Sequence, residues 1–172
     1  MQKNFYKTMN ERILFICQGN VGRSQMAEAY YNALVQPGVA TSAGIDEVAE
    51  KYNGRPASEI IDVMLEDGID VSSQRIKRLE GEMIESVGSV IVLCSQSICP
   101  PFLVENPKVE FYEIEDPYML NLERTRLIRD KVKETILFIA QQKKQTSIDG
   151  GFLVVDPPSS AFGETSARQR RR

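Results

Sequence analysis

Apolar and polar positions fall into two rhythms along this chain. Short unbroken apolar runs alternate with longer stretches where apolar residues recur every three or four positions. Ile13-Leu14-Phe15-Ile16 is apolar on both faces, as a buried parallel strand is, and predicts a first strand over 12–16. Residues 24–34 carry Met26, Ala29, Tyr30 and Ala33 near helical spacing, and Pro37-Gly38 ends that helix. A second strand is expected at 39–42, then a loop over 44–56 with a turn at Tyr52-Asn53-Gly54. A helix over 57–66 places Ile60, Ile61, Met64 and Leu65 on one face, with Gly68 just past its end. One or two short helices are expected within 72–85, which carries Arg75, Lys77 and Arg78. Further strands follow at 89–93 and 109–114. A long helix over 120–142 has Leu127, Val132, Ile136 and Ile139 as buried candidates.

Strands separated by helices predict an α/β fold: parallel crossovers and one sheet covered on both faces. In such sheets, sites form beyond the carboxyl ends of the strands. Cys17 follows the first strand, Cys94 ends the third and Asp116 comes just after the fourth. Three chemically capable residues, far apart in sequence, are thereby predicted to meet at one sheet edge.

Composition narrows the chemistry. The 172 residues suffice for one domain with a full core, and 42% hydrophobic with 26% charged residues is ordinary for a soluble globular protein. A net charge of -3 implies no general attraction to nucleic acid or to acidic membranes. No apolar run approaches the ~20 residues of a membrane span. The first ten residues lack the apolar core of a secretory signal, so a reducing cytoplasm is the expected setting for the three cysteines. The chain has no histidine, which removes Ser-His-Asp triads, Cys-His dyads and histidine metal sites together. An acid or base must come from Asp, Glu, Lys, Tyr or Cys. Three cysteines lack the usual fourth ligand of a structural zinc, and neither a metal nor another cofactor is expected.

The organising stretch is Cys17-Gln18-Gly19-Asn20-Val21-Gly22-Arg23-Ser24, placed between strand and helix. Gly19 and Gly22 let the backbone turn its N–H groups inward, and the helix N-terminus adds positive potential there. Arg23 adds a planar fork of donors. Gln18 to Ser24 thus form a cradle for a tetrahedral oxyanion, with the Cys17 sulfur at its floor. The same field favours the thiolate, the reactive form, and Ser24 can donate a hydrogen bond to it. A lone strand-end cysteine is usually a small buried hydrophobe. The convergence of thiol, cation and helix terminus favours nucleophilic chemistry instead.

This stretch, with Gln25-Met26-Ala27-Glu28, Ser42-Ala43-Gly44, Gly68-Ile69-Asp70 and Asp116-Pro117, resembles the low-molecular-weight protein tyrosine phosphatases and the thioredoxin-coupled arsenate reductases that share their fold. The resemblance covers about residues 11–143 and implies a three-layer α/β/α domain with a four-stranded parallel sheet. It implies that Asp116 is the general acid and that Asn20 holds the loop's shape. Tyr118, and opposite it Tyr52, would wall a pocket for a phenyl ring. By itself, Asp before Pro also reads as ordinary turn chemistry. Glu28 and Asp46 read as surface or structural groups.

Cys94-Ser95-Gln96-Ser97-Ile98-Cys99-Pro100 separates two activities. The similar reductases carry a thiol at each end of such a loop, which implies a redox relay: Cys94 attacks the arseno-cysteine, Cys99 resolves the disulfide, and a thioredoxin-like reductant restores the thiols. The loop is slightly shorter here than in those reductases. Alternatively, Cys94 is a buried strand residue, Cys99 is incidental, and the enzyme hydrolyses phosphotyrosine-type monoesters. Gly22 stands where many of the phosphatases have a second loop cysteine. A third class, a module that only binds oxyanions, would be marked by loss of the cysteine, the arginine or the Asp-Pro, and all are present. The expected organisation is an extension at 1–10, a catalytic domain over 11–144 and a disordered basic tail over 145–172, in which the apolar patch 152–155 could dock.

Overall fold

The structure is a computed structural model and describes residues 12–149. The extension, the patch at 152–155 and the basic terminus lie outside the described residues. The elements run β1 (Ile13–Cys17), α1 (Arg23–Leu34), β2 (Ala40–Gly44), α2 (Ser58–Glu66), α3 (Gly81–Glu85), β3 (Ser89–Val92), α4 (Pro101–Val104), β4 (Val109–Phe111) and α5 (Leu122–Asp149). Single 3-10 turns at Glu50–Tyr52 and Gln96–Ile98 complete them.

The four strands form one parallel sheet in the order β2-β1-β3-β4. β1 lies between two partners, with Cys17 opposite Gly44 and Ile16 opposite Val92. Central position explains why β1 reads as unbroken apolar sequence: both its faces are covered. Ile13, Phe15 and Cys17 point to a core shared with α1, α2 and α5. Leu14 and Ile16 point to a second core with Val90, Val92, Cys94, Ile84 and Leu103. The three-layer α/β/α arrangement follows. Phe15 and Leu14 are fully buried, and each such side chain contributes about 1.5–3 kcal/mol relative to exposure.

Several expectations need correction. The one or two short helices expected within 72–85 reduce to α3 at Gly81–Glu85, and residues 72–79 are not helical. Their backbone is taken by other partners: Lys77 N–H bonds the Asn20 side chain, Arg75 C=O accepts from Gln25, and Gly44 N–H donates to Lys77 C=O. Leu65 is exposed because α2 buries Ile60, Val63 and Met64, a stripe on which Leu65 does not lie. Leu127 is exposed for the same reason, since α5 buries Ile128, Val132, Ile136 and Ile139. That helix also runs to Asp149, past the domain edge expected at 144. Among the described residues no helix is long and apolar enough to cross a membrane.

Candidate active site

β1 ends on Cys17 and α1 begins at Arg23, so the five residues between them are forced into a tight loop at the carboxyl edge of the sheet. Gly22 is the N-cap of α1 and offers no side chain, which leaves the first-turn N–H groups free to face an anion. Asn20 sits in the left-handed region at φ 54, a conformation that asparagine tolerates better than most residues. Its fully buried side chain fixes the loop from beneath: Nδ2 donates to Ser24 Oγ at 2.8 Å and to Ser42 Oγ at 2.9 Å. Its Oδ1 accepts from Lys77 N at 2.8 Å and from Gln25 Nε2 at 3.0 Å. Ser24 Oγ lies 3.0 Å from the Cys17 sulfur.

Gly44 explains how the loop can rest on β2. A Cβ there would lie 2.6 Å from the Gly19 carbonyl carbon and 2.7 Å from Asn20 N. Gly44→Ala must push the loop off the strand. It should cost about 1–3 kcal/mol, read as a lower melting temperature, with a parallel loss of activity. Unchanged melting and turnover would show that the loop does not need this close contact.

Above the loop opens a cleft of about 520 Å³. Cys17, Gln18, Gly19, Val21, Gly22 and Arg23 form its floor, and Tyr52, Tyr118, Pro117 and Asp116 rise around it. Asn20 and Ser24, expected in the cradle, do not line the cleft but brace it from behind. Arg23 is only 5% exposed and is held by two acceptors, the Ile114 carbonyl at 2.8 Å and Asp116 Oδ2. Asp116 Oδ1 in turn accepts from Tyr118 N at 3.0 Å. Lys51, which sequence reasoning did not single out, donates to Tyr118 Oη at 2.9 Å and lies over that ring. It closes part of the mouth between the two tyrosines.

Cys94 and Cys99 do not line the cleft. The 3-10 turn at Gln96–Ile98 bends the chain so that their sulfurs lie 4.0 Å apart. Cys94 belongs to the core on the opposite sheet face from Cys17, because the strand pleat alternates the two. Burial, and then the neighbouring Cys99 and Cys17 thiols, push the Cys94 thiol far above its ordinary range. Burial also raises Cys99, whose bond with Cys94 opposes that shift. Cys99 is half-buried, and its thiol donates to Ser95 O at 3.4 Å.

Residues 12–147 match the family described as low molecular weight phosphotyrosine protein phosphatase. The chain belongs to this family. A glutaredoxin arsenate reductase from Synechocystis sp. is 33% identical over 128 residues, spanning 73% of this chain and 93% of the relative. A solved arsenate reductase in its oxidised state is 30% identical with a TM-score of 0.65, covering 77% of this chain and 98% of that one. A low molecular weight protein tyrosine phosphatase from T. tengcongensis is 26% identical with a TM-score of 0.64, covering 76% and 98%.

In this family member, sequence reasoning missed the polar layer under the loop. Ser42, Gln25 and Lys77 all touch Asn20. Glu28, read as an ordinary group, accepts from both Ser42 Oγ and Lys77 Nζ. The signal that could have found them is the polar stripe Gln25, Glu28 and Asn32 at helical spacing on α1, since a fully buried amide such as Gln25 must have partners.

Proposed function

We propose that this protein reduces arsenate to arsenite by way of a cysteine thiolate, a two-thiol relay and an external dithiol protein. The observation that carries the reading is the pair of sulfurs of Cys94 and Cys99, 4.0 Å apart and just beyond the strand next to Cys17. A phosphatase has no use for such a pair. The curated relative named for arsenate reduction supports the same reading.

In the first step, arsenate enters the loop and takes the uncapped N–H groups of α1 and the Arg23 fork. Arg23 exchanges Asp116 for the oxyanion, which frees Asp116 beside the departing oxygen. The Cys17 thiolate attacks arsenic, and Asp116, which takes up a proton of the arsenate once Arg23 has left it, returns that proton to the hydroxide that leaves as water. The turn after β3 then has to carry Cys94 out of the core on the opposite sheet face, and Cys94 attacks the Cys17 sulfur. The electron pair of the sulfur–arsenic bond stays with arsenic, which departs as arsenite, and a Cys17–Cys94 disulfide remains. Cys99 attacks Cys94, frees Cys17 and leaves a Cys94–Cys99 disulfide. A thioredoxin- or glutaredoxin-type dithiol returns the two electrons. Ile98 and Phe102 are exposed on either side of Cys99 and offer such a protein an apolar landing point. A reducing compartment such as the cytoplasm suits this cycle.

The cleft itself favours a second reading. A volume of about 520 Å³ walled by Tyr52 and Tyr118 exceeds what arsenate needs and suits an aryl phosphate. Hydrolysis would use the same Cys17, Arg23 and Asp116, with water in place of Cys94. The deciding experiment measures arsenate consumption driven by a dithiol protein against p-nitrophenyl phosphate hydrolysis on one preparation. Dithiol-dependent arsenate turnover supports the relay, and ester hydrolysis alone replaces it with the phosphatase.

Asp116→Asn should slow hydrolysis of aryl phosphates with poor leaving groups by about 10²-fold or more, and of those with good leaving groups far less. A good leaving group departs without a proton. An equal loss across the series would make Asp116 a loop support only.

A further inference from the structure

Two features outrun what arsenate needs. The cleft above the oxyanion loop is wide and walled by apolar and aromatic side chains. The thiols of Cys94 and Cys99 can remove two oxidising equivalents from Cys17, whichever substrate delivered them. We propose that the protein also reduces organic hydroperoxides, with Cys17 taking the peroxide oxygen and the Cys94–Cys99 pair clearing it. The proposal rests on the relay reading.

Of the three cysteines, Cys17 alone lines the cleft. Donors gather at its sulfur. Ser24 Oγ lies 3.0 Å away, and Arg23 and the uncapped first turn of α1 border the same floor. Breaking an O–O bond puts negative charge on the departing oxygen, which such donors stabilise. Cys94 is a poor competitor for peroxide. It is fully buried, and burial pushes its thiol far above the ordinary range. Burial raises Cys99 as well, and the thiolate is the attacking form. The walls choose the kind of peroxide. Val48, Ile60, Pro117, Tyr52 and Tyr118 surround about 520 Å³, which an aryl or alkyl group fills and hydrogen peroxide leaves empty.

The Cys17 sulfur attacks the terminal oxygen of the hydroperoxide. A sulfur–oxygen bond forms, the O–O bond breaks, and the electron pair leaves with the inner oxygen. That alkoxide takes up the proton that the thiol gave to solvent and departs as an alcohol, and Cys17 is left as a sulfenic acid. Gly22 gives the loop no second thiol to condense with it. The turn after β3 brings Cys94 out, as in arsenate reduction. Its sulfur displaces hydroxide from Cys17, the hydroxide takes the Cys94 proton and leaves as water, and a Cys17–Cys94 disulfide forms. Cys99, 4.0 Å from Cys94, exchanges into that bond, restores the Cys17 thiol and leaves a Cys94–Cys99 disulfide. The external dithiol protein returns two electrons and two protons.

The test mixes the reduced full chain with one equivalent of cumene hydroperoxide, without arsenate or reductant, and reads non-reduced peptides by mass spectrometry over time. The parent should gain a Cys94–Cys99 disulfide and keep Cys17 as a thiol. Cys99→Ser should stop with Cys17 and Cys94 joined. Cys94→Ser under excess peroxide should carry Cys17 on to the sulfinic acid. Hydrogen peroxide should act about tenfold more slowly or worse, since it gains nothing from the apolar walls. Cys17→Ser should lose the reaction, and inorganic phosphate seated in the loop should suppress it in the parent. A Cys94–Cys99 bond that forms as fast in Cys17→Ser, or under phosphate, means direct oxidation of the pair and overturns the proposal. So do equal rates with the two peroxides, or a sulfinic acid at Cys17 of the parent before any disulfide. Should Cys17→Ser fail to fold, the phosphate competition decides. Dithiol-driven arsenate turnover is measured on the same preparation. Arsenate reduced while the hydroperoxide is not cleared ends this proposal alone, and failure of both ends the relay reading with it.

Discussion

Cys17→Ser is expected to abolish arsenate reduction and aryl phosphate hydrolysis together, by at least ~10⁴-fold. On the proposed mechanism both reactions begin with attack by the same sulfur. A serine hydroxyl needs a base to become nucleophilic, and the chain has no histidine to act as one. The cradle should survive the change, because it is held by Asn20, Ser42 and the N-terminus of α1 rather than by the sulfur. The variant should therefore still bind arsenate or phosphate, measured by calorimetry, while turning over neither substrate. Appreciable turnover by Cys17→Ser would refute the shared first step.

Cys94→Ser and Cys99→Ser should part the two activities. Ester hydrolysis ends with water and should stay within about threefold of the parent, as expected for changes that touch no reacting atom. Multiple-turnover arsenate reduction should fall to background in both, because the two electrons have no route out of the cycle. Cys99→Ser should stop with Cys17 and Cys94 joined, visible in non-reduced peptides by mass spectrometry. In the parent, the Cys94 step should accelerate as pH rises above neutrality. Burial holds that thiol protonated, and only the thiolate attacks. Closing 4.0 Å between Cys94 and Cys99 to the ~2 Å of a disulfide requires only local rotation about the bent turn. If both variants reduce arsenate as the parent does, the two cysteines are packing residues and the phosphatase reading stands in place of the relay.

What could be read from sequence was what lies contiguous in it. The oxyanion loop is eight consecutive residues, so its chemistry is visible before any folding is known. β1 and β3 were legible because a strand buried on both faces demands an apolar run, whereas the edge strands β2 and β4 carry no such run and were placed by their position between helices. Residues 72–79 were not legible, since their conformation is decided by the side chains of Asn20 and Gln25, some fifty residues away. The faces of α2 and α5 were misjudged at Leu65 and Leu127 because an apolar residue one position off a buried stripe looks the same in sequence as one on it. The polar layer beneath the loop stayed hidden for a different reason. Serine, lysine and glutamate are common on surfaces, and only three-dimensional contact shows Ser42 with no solvent at all.

The pleat of the sheet sets Cys17 and Cys94 back to back. On the reductase reading, the electron reservoir is thereby partitioned from the reaction vessel. An oxidant that closes the Cys94–Cys99 bond drains the reservoir while the vessel keeps its sulfur. The protein so treated is not switched off. It keeps every group that ester cleavage would use and forfeits only those that arsenate requires. Oxidation then acts as a selector between substrates, and the partition that makes it one is a single layer of β-sheet.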